Sequence, residues 1–496
     1  MVKQMLGAET EYFFAVFLHN GQRGDHELYC VKLIEIACEL FGALRVGMAG
    51  ACYLPNGSKL YIDCRHPEIA TCECTSPAEL LRYILAGDLV MQRLVEALEF
   101  RCPEVAETVV CRCHVDYSGT GVTWGAHESY LHRSTSEALQ QQLLGHLSSR
   151  VIYSGAGGLD SLSPRIEFQI EPRTPHLQHV VSGSSTNERG IFHTKNESLS
   201  SEGFSRLHLL ASATACSQTA TFLRLGTTCL LVALTALRKS PTRVIQLADP
   251  LAAMQTFSRD VTCKAKVMTT DRRKMSAIEI QRVYLEEVTS ELKTGNLPAW
   301  AAEVCDTWDT VLVDLDDNPM KLASVLDWPL KLTLFREFSA RNGVAWEGRN
   351  RHSTKVDASS ETAHLRAKLC EIDVRFSQIG EKGIFENLDR DDHLHHCIVP
   401  SKAIETACTE PPRVGRARLR AKWIKKLAGV DGACCDWQYV LDPRTKRRLD
   451  LANPFQEQEI WLNASAATDE QHIQEARARR LRTASAASLA GSRRRS

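Results

Sequence analysis

The sequence predicts an α+β fold, one large domain followed by a small C-terminal domain, on three observations. Acidic side chains recur on short strand-like segments near the start. A long helix with a strong start signal follows them. The 496 residues exceed the size at which one hydrophobic core keeps growing.

The first strand-like segment is Gly7-Ala8-Glu9-Thr10-Glu11-Tyr12, and the second runs from Asn56 to Glu68. Side chains in a strand alternate faces, so Glu9 and Glu11 point the same way, as do Lys59, Tyr61 and Asp63. Leu60 and Ile62 then fill the opposite, buried face. Two carboxylates about 4 Å apart repel by roughly 4 kcal/mol at an effective dielectric near 20. A fold that gathers several of them holds a divalent cation, exchanges a proton, or does both. For Glu9 and Glu11 alone, a solvated strand edge is the alternative.

The helix signal is Ser76-Pro77-Ala78-Glu79, a capping box with proline at the first helical position. Leu80, Leu81, Ile84, Leu85, Leu89, Leu94, Val95 and Leu98 follow at helical spacing. Tyr29 to Leu44 reads as another core helix. Ser154 to Gly158 marks a tight connection beside a strand, without the lysine and spacing of a phosphate-binding P-loop. The longest apolar run, Cys229 to Leu237, is too short for a bilayer and reads as a buried helix. Residues 346 to 364 are polar and read as an exposed loop. Pro411-Pro412 opens a smaller unit that ends near Asn453-Pro454-Phe455. The resulting division is 1–405, 406–463 and a basic tail, 464–496. Its Ala, Ser and Arg content suits disorder, either as a solubilising tail or as a contact for an acidic partner.

Charge and cysteine content narrow the function classes. Sixty basic and sixty acidic residues cancel, so no global field draws the chain to nucleic acid or membrane. The eighteen cysteines are scattered, and the pairs 72/74, 111/113 and 434/435 lack the C-x₂-C pattern of a zinc site. Glu9 and Glu11 interrupt any secretory apolar segment, so the expectation is a cytoplasmic protein with reduced thiols.

Two histidines extend the acidic set. His127 lies in Gly125-Ala126-His127-Glu128, and alternation across Leu207-His208-Leu209 turns His208 away from the buried face. A histidine alone in such a place is more often a hydrogen-bonded core residue than a ligand.

The ordered set of motifs resembles the family of Pup ligases and depupylases, proteasome accessory factors related to glutamine synthetase. The family carries G-x-E-T-E-[YF], then N-G-[AS]-[RK]-x-Y-x-D, H-P-E, A-T and E-C. This chain has Gly7 to Tyr12, Asn56 to Asp63, His66-Pro67-Glu68, Ala70-Thr71 and Glu73-Cys74. Gly125 to Glu128, Gly155-Ala156-Gly157, Arg206-Leu207-His208, Leu223 to Thr227, Pro411-Pro412, Arg416 to Arg420, Asp436-Trp437 and Pro454-Phe455 follow in order. The likeness spans roughly residues 5 to 460.

The resemblance implies a glutamine-synthetase-like large domain with a curved antiparallel sheet backed by helices. It also implies ATP-dependent carboxylate–amine chemistry. Carried over by position, Glu9, Glu11, Tyr61, Glu68, His127 and His208 are implied to hold magnesium ions, and Asp63 to be the catalytic carboxylate. Arg416, Arg418 and Arg420 match a basic stretch near the nucleotide, the alternative being a solvated helix face. The implied partners are a Pup-like small protein modifier or peptide and lysine-bearing acceptor proteins.

Within the family, Glu9 and Asp63 are close in sequence, as in the compact ligases, whereas depupylases carry a long loop between these positions. The three-residue step from Asp63 to His66 is instead more like the depupylase. The ligase is the favoured reading. A hydrolase or deamidase, a small-molecule ligase and a non-catalytic modifier-binding homologue are the alternatives. The chain also departs from the family. Ser212 to Gln218 replaces G-D-x-N-x-x-E, His193-Thr194-Lys195-Asn196-Glu197 replaces N-T-R-D-E, and Lys59 stands where arginine is common. These changes are expected to fall at substrate or nucleotide contacts.

Overall fold

The computed structural model describes residues 3–46, 50–183, 188–194, 197–200, 203–237, 244–343 and 360–463. The first strand, β1 (Leu6–Glu11), alternates as expected: Leu6, Ala8 and Thr10 enter the core while Gly7, Glu9 and Glu11 face the other way. Strand β2 (Phe13–Leu18) leads to helix α1 (His26–Phe41), which Asp25 caps and Gly42 ends in the left-handed region. The expected helix to Leu44 thus stops at Gly42. Leu44 instead opens β3 (Leu44–Arg45), followed by β4 (Ala51–Tyr53), β5 (Lys59–Asp63) and β6 (His66–Ala70). Helix α2 (Pro77–Arg101) begins at the Ser76 cap and buries its leucine face.

Strand β7 (Val105–Cys111) pairs with β2, and β8 (Ala126–His132) returns to β1. Helices α3 (Ser136–Ser149) and α4 (Val151–Ser154) follow. Two small pairs come next, β9 (Gly158–Leu159) with β10 (Phe168–Gln169) and β11 (His179–Ser182) with β12 (Gly190–His193). The connection before β9 is tight: Gly157 sits at φ +68°, and a Cβ there would lie 2.8 Å from the Trp328 backbone. Only glycine meets both conditions at low cost.

Strand β13 (Ser205–Leu209) completes a seven-stranded antiparallel sheet in the order β13-β8-β1-β6-β5-β4-β3. Helix α5 (Gln218–Leu237) then packs behind it. Its 20 residues are long and apolar enough to cross a bilayer by composition, but most are buried inside the protein. A core helix explains the apolarity.

Helix α6 (Pro250–Arg259), a hairpin of β14 (Lys266–Met268) and β15 (Lys274–Ser276), and helices α7 (Ala277–Leu292), α8 (Ala301–Asp317) and α9 (Asp327–Arg341) extend the helical layer. Helix α10 (Ser360–Phe376) takes in residues 360–364, which the sequence placed in a loop; residues 344–359 of that loop lie outside the described residues. Buried Leu365 and Leu369, four apart, give α10 an inward face that a polar-composition reading misses. Helices α11 (Ile384–Arg390) and α12 (Ser401–Ala407) follow, and Ala407 and Cys408 still belong to the main core.

Helix α13 (Arg416–Leu427) and a four-stranded sheet, β16 (Cys434–Asp436), β17 (Tyr439–Asp442), β18 (Arg447–Asp450) and β19 (Ile460–Asn463), form the C-terminal unit. Its core of Leu419, Ile424, Val440 and Leu449 is shared with Leu44 and Tyr53 of the large sheet. The unit is therefore docked on that sheet's β3–β4 edge. The tail 464–496 lies outside the described residues, and all eighteen cysteines are free.

Candidate active site

The open face of the large sheet floors a cleft of about 690 Å³. Register brings its donors together. Glu9 pairs with His127 across β1–β8, Glu11 with Glu68 across β1–β6, and Glu68 with Tyr61 across β5–β6. His208 pairs with Ser129, two residues from His127, and so shares its face.

Two clusters result, each with donor atoms within 4.8 Å of one another: Glu9, His127 and His208, and Glu11, Asp63 and Glu68. His127 Nδ1 lies 2.9 Å from Glu9 Oε2, and His208 Nε2 lies 3.7 Å from the same oxygen. The Ser129 hydroxyl is 3.2 Å from His208 Nδ1, which leaves Nε2 aimed at Glu9. Tyr61 donates its hydroxyl to Glu68 Oε1 at 2.5 Å, while buried Glu68 Oε2 has no hydrogen-bond partner among the described residues. The family resemblance implies Asp63 as the catalytic carboxylate; the fold sets it beside Glu11 and Glu68, exposed to the cleft.

The electrostatics follow from burial and charge. Burial opposes the charge on Glu9, but the His127 hydrogen bond and, at the acid pH where His208 is protonated, the charges of His208 and Arg206 outweigh it, holding the carboxyl well below its ordinary range. Burial, then the charges of Glu9 and Glu11, push Glu68 well above it. Burial, then the charges of Glu9 and Glu68, raise Tyr61. Burial lowers His208 to about 3, so its imidazole is a neutral lone-pair donor near pH 7.

A divalent cation fits this face. Glu11, Asp63 and Glu68 supply only oxygens, the donor type that hard magnesium prefers, and the orphaned Glu68 Oε2 is a buried acceptor awaiting charge. Glu9 with two imidazoles is a more mixed set, suited to a borderline divalent ion as well.

The three arginines of the basic stretch separate. Arg416 lines the cleft, buried, with Nε donating to Glu73 Oε1 at 2.6 Å. Arg420 lies wholly buried behind it, donating to Glu73 Oε2 at 2.5 Å and to the Gly57 carbonyl, with its guanidinium 4.7 Å from the Trp437 ring centre. Arg418 is exposed and donates to the Glu457 carbonyl, outside the cleft. Positions two apart on a helix face different ways, so the solvated-face alternative describes Arg418.

Several lining residues had no role assigned from sequence. Trp437, Lys59 and Thr71 line the cleft, and so do Arg173, Arg189 and Arg206. Strand alternation puts Arg206 on the His208 face, a signal present in the sequence. Arg173 and Arg189 lie outside the periodic strands and helices and carried no such signal.

The altered segment is not at the cleft. Ser212 to Gln218 is buried, and none of it lines the cleft. Its backbone is tied instead by acids from elsewhere. Glu171 accepts the Ala213 N–H at 3.1 Å, and Asp327 accepts those of Cys216 at 2.6 Å and Ser217 at 3.0 Å. The expectation of substrate contacts there is thus corrected: the segment anchors the start of α5. Of the second altered stretch, Glu197 lines the cleft, and Lys195 and Asn196 lie outside the described residues.

An antiparallel sheet that carries this acid and imidazole set on one face, with helices behind the other, defines the glutamine-synthetase-like class. The family model of the Pup-ligase proteins matches residues 19–441, and the chain belongs to that family. The Pup deamidase/depupylase of Mycobacterium tuberculosis is 29% identical over 399 residues, covering 78% of this chain and 74% of the relative. The Pup–protein ligase of Acidimicrobium ferrooxidans is 28% identical over 468 residues, covering 92% of this chain and 96% of the relative. Among solved structures, the ligase PafA in complex with Pup superposes with a TM-score of 0.76 at 23% identity, covering 95% of this chain and 92% of that one. PafA in complex with ADP gives 0.71 at 24% identity, covering 89% and 93%.

Proposed function

We propose that this chain uses ATP to join the side-chain carboxylate of a Pup-like modifier's terminal glutamate to a lysine amine. The observation that carries this reading is the convergence of Glu11, Asp63 and Glu68 beside Glu9, His127 and His208 on one sheet face of a Pup-ligase family member. A carboxylate is a poor acylating agent, so ATP activates it as an acyl phosphate. Glu9, Glu11, Tyr61, Glu68, His127 and His208 would hold magnesium, which would supply the charge that offsets the phosphate oxygens.

The remaining steps belong to the chain's own residues. A lysine with an ordinary pKa near 10.4 is disfavoured as a free amine at pH 7 by about 4.6 kcal/mol. Asp63, at the exposed end of β5 and lining the cleft, takes that proton. Arg416 lines the same cleft, which supports giving it, of the three arginines in the basic stretch, the contact with the nucleotide. A reaction of this kind suits the cytoplasm, where ATP and magnesium are plentiful.

The ligase direction is supported by coverage, since this chain spans 96% of the ligase relative and 74% of the depupylase. The second reading, a depupylase or deamidase, draws on the two-residue turn Cys64–Arg65 that separates Asp63 from His66. The test is ATP turnover with magnesium, with and without a Pup-like peptide ending in glutamate. ADP formed together with an amide-linked product supports the ligase. Amide hydrolysis without net ADP supports the second reading. In Asp63→Asn, amide formation is expected to fall by roughly 10²–10⁴-fold; an unchanged rate removes Asp63 from the mechanism.

A further inference from the structure

Two guanidinium groups in the cleft wall carry charge that no described acid meets in an ion pair. Arg173 is 6% exposed, and its Nη1 donates to the carbonyls of Leu210 and Ser212, each at 2.7 Å. Among the described residues its Nη2 reaches only the Thr123 hydroxyl, at 3.4 Å. Arg189 donates to the Gly121 carbonyl at 3.3 Å. All of these acceptors are neutral, and no described carboxylate lies in ion-pair range of either group. Both line the cleft.

Such an arrangement is costly unless it has a use, because a buried charge needs a counter-charge. Here the two arginines also repel each other: Arg189 depresses Arg173, which burial lowers to about 10. Glu11 is the cleft acid that favours both charges, and buried Glu171 favours that of Arg173, yet both carboxylates are engaged: Glu11 accepts the Gly125 N–H at 2.6 Å and stands beside Asp63 and Glu68, and Glu171 accepts the Ala213 N–H at 3.1 Å. The carbonyls of 210 and 212 fix the Arg173 guanidinium plane, so its remaining donors are preorganised for a bidentate oxyanion.

We propose that Arg173 and Arg189 form an oxyanion subsite for the α-carboxylate of the substrate's C-terminal residue. This rests on the ligase reading, in which the side-chain carboxylate of that residue goes to the reacting centre. A terminal glutamate carries two carboxylates, and the reaction consumes one. The second enters the cleft as an anion that needs a partner away from the acidic cluster, and the arginine pair supplies it. Selecting the side-chain carboxylate over the α-carboxylate is then a matter of which one the pair sequesters. The γ-phosphate of ATP is the other oxyanion that could occupy the pair.

The test uses a Pup-like peptide ending in Gly-Gly-Glu, made with a free or an amidated α-carboxyl group, and measures its binding by anisotropy. KM for peptide and for ATP is measured alongside. The wild type is expected to bind the free acid about 10- to 100-fold more tightly than the amide. Arg173→Met and Arg189→Met should lose that preference, with the amidated peptide binding equally to all three proteins. Arg189 is only partly buried, so its variant keeps the fold even if Arg173→Met does not. Equal binding of the two peptides by the wild type overturns the subsite, and so do variants that raise KM for ATP alone. If the wild type makes no amide, the ligase reading falls, and the binding arm still decides the subsite.

Discussion

Glu68 stands directly opposite Glu11 across β1 and β6, and its Oε2 has no hydrogen-bond partner among the described residues. A sheet places like charges face to face at a cost unless something compensates. The compensation expected here is a divalent cation, which turns mutual repulsion into shared ligation.

Magnesium should therefore stabilise the protein. At a concentration a hundredfold above Kd the gain is about 2.7 kcal/mol, read as a rise in melting temperature that chelation reverses. Glu68→Gln should be as stable as the wild type or more so without metal, and should lose the magnesium-dependent rise. A variant that keeps the rise in full removes Glu68 from the ligand set.

The imidazole cluster has a readout of its own. Cobalt(II) bound by Glu9, His127 and His208 should show ligand-field absorption that disappears in His127→Ala and in His208→Ala. Ser129→Ala, which removes the hydroxyl beside His208 Nδ1, should weaken cobalt binding by about 10- to 100-fold without abolishing it. Spectra that do not respond to the histidine changes would place the metal elsewhere.

Gly125 is the space that His127 needs. A Cβ at position 125 would lie 2.2 Å from His127 Nε2, so in Gly125→Ala the ring must leave its position. The neighbour is a side chain rather than backbone, so stability should change by less than about 1 kcal/mol. Metal binding and turnover should fall at least tenfold. Unaltered metal binding would show that the ring has room to adjust.

Glu73 clamps the C-terminal unit to the large sheet through Arg416 and Arg420. Burial opposes its charge, but the two arginines overcome it and hold the carboxyl at about 2, below the ordinary 4.5. Because the folded value lies below the unfolded one, this stabilisation is present above about pH 4.5 and is lost as pH falls towards 2. Glu73→Ala leaves two buried guanidinium groups unpaired and should cost about 3–5 kcal/mol near pH 7. The difference in denaturation midpoint between wild type and variant should shrink on acidification through that window. A difference independent of pH would mean that Glu73 acts through packing instead.

Much of the site was legible in the sequence, and the parts that were not share a cause. Strand alternation alone put Glu9 with Glu11 and Tyr61 with Asp63, and the Ser76 capping box set the start of α2, because these patterns involve residues two to four apart. The order of the motifs was enough for the family and for the six candidate metal ligands.

Strand order, register and the packing of helices and connecting segments were decided only in three dimensions. They set His127 against Glu9, grouped Asp63 with Glu11 and Glu68, and carried Arg173 and Arg189 into the cleft wall. They also buried 212–218 under acids distant in sequence, and sent Arg416 inward while Arg418 faces solvent. Local periodicity reports which face a side chain takes. What stands opposite that face depends on contacts across tens to hundreds of residues, and only the packed chain determines them.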